Sequence, residues 1–378
     1  MKTYGRTALS AVLADRVIYR RLEPCDPSLP GLGALRSPLG LPPDAIPRKR
    51  EADYARVVVA VLQEAQRQRG ARQPLRRLLF VGDTRLLDGH AFANLCQVGG
   101  WPGLAFIGAE DAQPAAVAHV PGPDATALYL ANRWAALPAF DQYAAAHGLP
   151  VDEATAVVLD IDKTLLGARG RNGHVIDQAR VQAVQATVAA ALGTAFDPAA
   201  FGAAYDRLNQ PEFHPFTSDN QDYLAYLCLI LGGGLLDLAA LETALDAGTW
   251  ATFPAFMAAI DRRLPELPPS LAALHRQIYA RVQAGDPTPF KDFRRAEYRL
   301  TLARFGQLDD AAPLAQLLAE EIVITQEVLA AAAAWQARGA LLFGLSDKPD
   351  EAATPTPALA AQGWPPLHRA VTHAVGAA

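Results

Sequence analysis

Three times along the chain a short, uncharged aliphatic run ends abruptly on a polar residue: Leu78-Leu-Phe-Val81 before Gly82-Asp83, Ala156-Val-Val-Leu159 before Asp160-Ile-Asp162, and Ala340-Leu-Leu-Phe-Gly-Leu345 before Ser346. Such runs read as strands buried on both faces, and a sheet of that kind needs helices above and below it. The intervening sequence supplies them. Residues 51 to 69 place apolar side chains at helical spacing and stop at Gly70, His90 to Val98 reads as a second helix, and 131 to 147 as a third. Gly103-Leu-Ala-Phe-Ile107 adds a strand after the turn at Trp101-Pro102. Strand and helix alternate, so the expectation is an α/β fold around a parallel sheet. In such a fold ligands gather at the carboxyl ends of the strands.

After Leu166 the texture changes. Gly167 to Gly173, GARGRNG, is a glycine-rich basic turn, and from Ile176 to about Ala337 nearly every segment reads as helix broken by Pro or Gly. The expected organisation is therefore a core of 1–165 and 340–378 with a helical domain, 166–339, inserted between. Tyr223 to Leu236 is the longest uncharged apolar segment; it is shorter than the ~20 residues of a membrane helix and reads as a buried helix and its stop. The aromatic stripe Phe213, Phe216, Tyr223 and Tyr226 is expected in a core. Lys291 to Arg295 with Arg299 is read as a solvated helix face, with an anion-receiving surface as the alternative. A weak strand is expected over 369 to 375.

A formal charge of −5 with no run of like charges argues against a nucleic-acid groove or an anionic membrane surface, and points to small-molecule partners. Cys25, Cys96 and Cys228 are widely spaced and form no CxxC pair, which fits a reducing compartment. The N-terminal apolar stretch is too short before Asp15 and Arg16 for a secretory leader, so a cytoplasmic protein is expected. The histidines show no HExxH spacing, and zinc is not expected.

Asp160 and Asp162 leave their strand on the same side, two like charges that are costly unless a cation sits between them or one keeps its proton. Acids at strand ends also occur as turn and cap residues, so this pair alone has a purely structural reading. In its setting, Asp160-Ile-Asp-Lys-Thr164 resembles the first motif, DxDxT, of the haloacid dehalogenase superfamily. Leu341 to Ser346 resembles the family's second motif, and Ser346-Asp-Lys-Pro349 is similar to the TNKP of its phosphoglycolate phosphatase branch. Gly82-Asp83 with Asp88 resembles the fourth, and the turn at 167–173 matches the flap. The order departs from the family, because the fourth motif precedes the first. A circular permutation reconciles this, with the C-terminal strand followed in space by the N-terminal helix and strand 78–81; it requires Gly82-Asp83 and Asp160 on adjacent strands.

The resemblance implies a Rossmannoid sheet with helices on both faces and an all-helical cap between first and second motifs. It also implies roles. Asp160 would be the nucleophile, Asp162 the acid and base, and Thr164 and Ser346 would donate to the phosphoryl group. Asp83, Asp88, Asp160 and Asp162 would make up the Mg²⁺ site. Asp88 in LLDGHAF has a second reading as a helix cap. Arg169 and Arg171 lie in the flap. Only five lysines occur, and the phosphoryl-binding cation is assigned to Lys49, in a prolyl loop before helix 51–69; Arg48, Arg50 and Lys348 are the alternatives. The expected function is a Mg²⁺-dependent phosphomonoesterase acting on a small phosphorylated metabolite. A phosphomutase or other phosphotransferase, and a phosphate-binding regulatory protein with little turnover, are the alternatives.

Overall fold

In a computed structural model of the chain, the structure describes residues 1–378, the side chain of Ala125 excepted. Two compact units form, one of Met1–Gln178 with Thr301–Ala378, the other of Ala179–Leu300. Ten strands occur among the described residues: β1 (Lys2–Thr7), β2 (Val17–Ile18), β3 (Arg77–Gly82), β4 (Gly103–Gly108), β5 (Val117–Pro121), β6 (Ala127–Ala131), β7 (Thr155–Asp160), β8 (Ile324–Thr325), β9 (Leu341–Leu345) and β10 (Thr372–Gly376). All belong to the first unit.

Seven of them form one sheet in the order β2-β9-β7-β3-β4-β6-β5, parallel throughout except for the β5–β6 pair at its edge. The aliphatic runs explain why β7 is central. Every residue from Thr155 to Asp160 is buried, and side-chain alternation sends Ala156 and Val158 to one face and Val157 and Leu159 to the other. On the first face they join Leu78, Phe80, Leu341 and Phe343 against Val57, Val58, Val61 and Leu62 of helix Ala52–Gln68. On the opposite side Phe106 of β4 meets Trp134 and Phe140, with ring centroids at 6.0 and 5.6 Å. Both faces are covered, as the unbroken apolar runs require.

A smaller sheet, β1-β10-β8, pairs the first strand antiparallel to the last, Lys2 opposite Gly376 and Thr7 opposite Thr372. The weak strand expected over 369 to 375 lies here, as β10. The helix expected over 131–147 begins only at Leu137. Residues Ala127–Ala131 before it form β6, and Pro138 fits the first turn of the helix, where its missing N–H leaves no bond unmade.

The helical unit spans 179–300, a narrower range than the expected 166–339 insert. Residues 301–339 belong to the sheet-bearing unit. There β8 pairs with β10, and helix Gln326–Ala337 buries Trp335, whose indole N–H donates to Asp141 Oδ1 at 2.9 Å. Within the helical unit Phe213, Phe216 and Tyr226 lie in the core with Tyr223 packed against it, stacked on Phe253 at 3.8 Å. The 291–299 segment is a solvated face only in part. Phe293 is buried, Lys291 pairs with Asp286 at 2.7 Å, and Arg294 is enclosed between Asp222 at 2.6 Å and Glu297 at 2.7 Å; Asp292, Arg295 and Arg299 stay exposed. Burial of an arginine requires such partners. Among the described residues no helix is long and apolar enough to cross a membrane.

Candidate active site

The three strand ends picked out in the sequence lie side by side. β7 is hydrogen-bonded to β3 on one side and β9 on the other, with Leu159 opposite Val81 and Asp160 opposite Leu345. Asp160, the Gly82-Asp83 pair and Ser346 therefore leave one sheet at the same edge, and the strand adjacency required by the permuted order is present.

Carboxylate oxygens of Asp83, Asp88 and Asp160 all lie within 4.8 Å of one another. Asp88 reaches this cluster from the first turn of helix Leu87–Gly99. Its Oδ2 accepts from the Asp83 N–H at 3.0 Å and from the Thr84 N–H and hydroxyl, each at 2.8 Å; its Oδ1 faces Lys49. The helix-cap reading of Asp88 does not hold, because no side chain caps this helix start and Asp88 stands inside its first turn: one carboxylate oxygen fastens the preceding turn and the other faces Lys49. Gly82 makes room for it, because a Cβ there would stand 2.6 Å from the Asp88 carboxyl carbon.

Lys49 is 3% exposed, and its ammonium donates to Asp88 Oδ1 at 2.7 Å and Asp160 Oδ1 at 2.5 Å. Lys348 lies elsewhere, with its Nζ 3.9 Å from Asp162 Oδ1. Of the candidate cations it is Lys49 that enters the cluster.

Electrostatics follow from crowding. Burial resists the charge on Lys49, but Asp160 and Asp88 overcome it and hold the ammonium well above its ordinary value. Burial pushes Asp160 well above the usual carboxylate range, against the pull of Lys49 and with the repulsion of Asp88 and Asp83. Asp83 rises to about 6, through burial first and the Asp88 charge second, despite Arg169, whose Nε lies 2.5 Å from its Oδ2. Asp88 goes the other way: burial is outweighed by Lys49 and by the Thr84 hydrogen bonds.

Asp162 does not join the cluster expected from its place in the first motif. Its side chain is 27% exposed and accepts a hydrogen bond from the Ser346 hydroxyl at 2.9 Å, and that hydroxyl oxygen accepts from the Lys348 N–H at 2.9 Å. Lys163, directly after Asp162, takes a left-handed φ of 62° and pairs with Asp177 at 2.8 Å. Thr164 is fully buried and its hydroxyl has no partner in the chain, while its carbonyl accepts from Thr325 Oγ1 at 2.5 Å. The two arginines of the flap diverge. Arg169 pairs with Asp83, whereas Arg171 is locked between Glu110 and Glu327 at 2.6 and 2.8 Å.

One contributor carried no sequence signal. Arg20, buried just after β2, donates to the Pro47 carbonyl at 2.6 Å and its own N–H to the Lys348 carbonyl at 3.1 Å. It fastens the loop that delivers Lys49 to the loop that carries Ser346. Its acceptors are main-chain carbonyls, which no residue pattern announces.

The donor set fits a hard divalent cation. Three carboxylates converge with only Lys49 and Arg169 as counter-charges, all the donors are oxygens, and an octahedral ion with ligands at ~2.0–2.1 Å sets opposite oxygens about 4 Å apart. The cluster could therefore hold a metal, receive an anion beside Lys49 and present the Asp160 carboxyl group in a nearly closed space. No family model matches the sequence, and neither a curated protein nor a solved structure matches it.

Proposed function

We propose that the protein is a Mg²⁺-dependent phosphomonoester hydrolase of the haloacid dehalogenase type, in circularly permuted order, acting on a small phosphorylated metabolite. One observation carries this reading: Asp83, Asp88, Asp160 and Lys49 converge where β3 and β7 end, while Ser346 at the end of β9 holds Asp162 outside their cluster. Asp83, Asp88 and Asp160 would hold the ion, which supplies neutralisation of phosphoryl charge.

The chain's own groups do the rest. A carboxylate oxygen of Asp160 attacks phosphorus and forms an aspartyl phosphate as the ester P–O bond breaks. Asp162, partly open to solvent and oriented by Ser346, gives its proton to the departing oxygen and then takes one from the water that hydrolyses the intermediate. Lys49 would place its charge on the phosphoryl oxygens, and the free hydroxyl of Thr164 is available to donate to them.

A panel of phosphate monoesters, with free phosphate measured with and without Mg²⁺, tests the reading. Metal-dependent release is expected. Transfer to an added alcohol without release would make the protein a phosphotransferase, and binding without either a regulatory one. Asp160→Asn should retain the fold and lose turnover, and Asp162→Asn should lose roughly 10²- to 10⁴-fold. Near wild-type activity in Asp160→Asn would end the covalent mechanism.

A further inference from the structure

Tyr54 is wholly buried in the first turn of helix Ala52–Gln68, and its hydroxyl has no hydrogen-bond partner in the chain. A buried phenol usually finds one, and leaving it unmade is destabilising, so an orphan of this kind calls for a partner from outside the chain. Its surroundings say what partner. Tyr54 follows Lys49 by five residues, across a turn closed by the Glu51 N–H on the Arg48 carbonyl at 2.8 Å, and the charges of Asp347, Lys49, Arg20 and Asp160 act on its phenol. The helix end on which it sits is open as well: the flanking Glu51 carboxylate accepts from the Arg48 N–H at 3.0 Å and caps none of the helix N–H groups. An uncapped helix start favours negative charge.

Burial of the hydroxyl does not bar a ligand that reaches the nucleophile. Asp160 is itself only 6% exposed, Ser346 1% and Thr164 0%, so a phosphoryl group that reaches Asp160 must likewise enter closed space. Burial first, and then the Asp347 charge, keep the phenol protonated and hence a donor.

We propose that Tyr54 is a further substrate-binding residue, whose hydroxyl donates a hydrogen bond to a phosphoryl oxygen of the ligand held beside Lys49 and Asp160. This rests on the phosphohydrolase reading. It adds a donor from the helix that follows the Lys49 loop, so that Lys49 and Tyr54 approach the phosphoryl group from one segment of chain.

Tyr54→Phe separates this role from a packing role, because it deletes the hydroxyl and keeps the ring. The test titrates wild-type and variant protein with inorganic phosphate in the presence of Mg²⁺, follows ester hydrolysis, and records both melting temperatures. The expected result is phosphate binding and kcat/KM weakened roughly 10- to 100-fold, as for a hydrogen bond to a charged group, with melting unchanged or higher. Equal phosphate affinity and turnover in the two proteins would overturn the assignment and leave the hydroxyl a core group or one served by water. A sharp fall in melting temperature would also overturn it, since the hydroxyl would then have an internal partner. Wild-type protein that neither binds phosphate nor hydrolyses any ester would remove the phosphohydrolase reading itself.

Discussion

A single ammonium facing two carboxylates sets the character of the site at the scale of residues. Lys49 is held by Asp88 and Asp160 and sealed from solvent, so its loss would leave mutually repelling acids with no cation between them. Lys348 offers a contrast, since its ammonium stands 3.9 Å from Asp162. The two can be compared at saturating Mg²⁺ as Lys49→Ala and Lys348→Ala. Turnover should fall at least about 100-fold in the first, as for loss of one preorganised charge at the reacting group, and by less in the second. An active Lys49→Ala enzyme beside an inactive Lys348→Ala one would reverse the assignment. Lysine scarcity made this residue legible in the sequence, where its neighbours Arg48 and Arg50 competed with it. Arg20 was not legible, because its bond to Pro47 joins residues 27 apart through a carbonyl that any residue could supply.

Elements differ in how plainly they announce themselves, and burial decides it. β3, β7 and β9 were readable because both of their faces are covered, so their apolar runs are unbroken. β2 and β8 are two residues each, too short for any period to show. β6 was not expected as a strand, and the helix expected over 131–147 took in only its last residue, Ala131, because helical spacing was read on from there across Asn132 and Arg133. Acid positions at strand ends were readable for the same reason as the strands, whereas the removal of Asp162 from the cluster depends on a Ser346 hydroxyl 184 residues away. The close fit at the end of β3 makes a prediction of its own. Gly82→Ala puts a Cβ 2.6 Å from the Asp88 carboxyl carbon and must displace it from the Asp83 and Thr84 N–H groups. Magnesium affinity, measured by titration calorimetry, should fall roughly 10- to 100-fold, as when a ligand loses its outer support, while the circular dichroism spectrum is kept. Unchanged affinity would mean that Asp88 is dispensable to the ion.

The sheet-bearing unit is assembled from the two ends of the chain, and the contacts between those ends govern its response to solution conditions and to load. Asp15 lies 2.8 Å from Arg369 Nε and 3.0 Å from His368 Nε2, and the Arg369 hydrogen bonds, opposed by burial and aided by His368, hold its carboxyl down at about 2. A folded value below the ordinary 3.8 means stability that is complete above about pH 4 and lost as pH falls through about 2. Asp15→Asn should therefore cost on the order of 1 kcal/mol at pH 7, after allowance for its partial exposure, and the cost should shrink toward nothing at pH 2. Denaturant melts at both values check this; a cost independent of pH would show that the ion pair contributes nothing. The antiparallel β1–β10 ladder has a mechanical consequence. Lys2 opposite Gly376 is its outermost rung and Thr7 opposite Thr372 its innermost, so tension applied between the two ends meets the rungs in succession instead of together. In a single-molecule pulling experiment the terminal strands should peel apart at low force, before the seven-stranded sheet yields, and the force trace should carry that early step as a separate event.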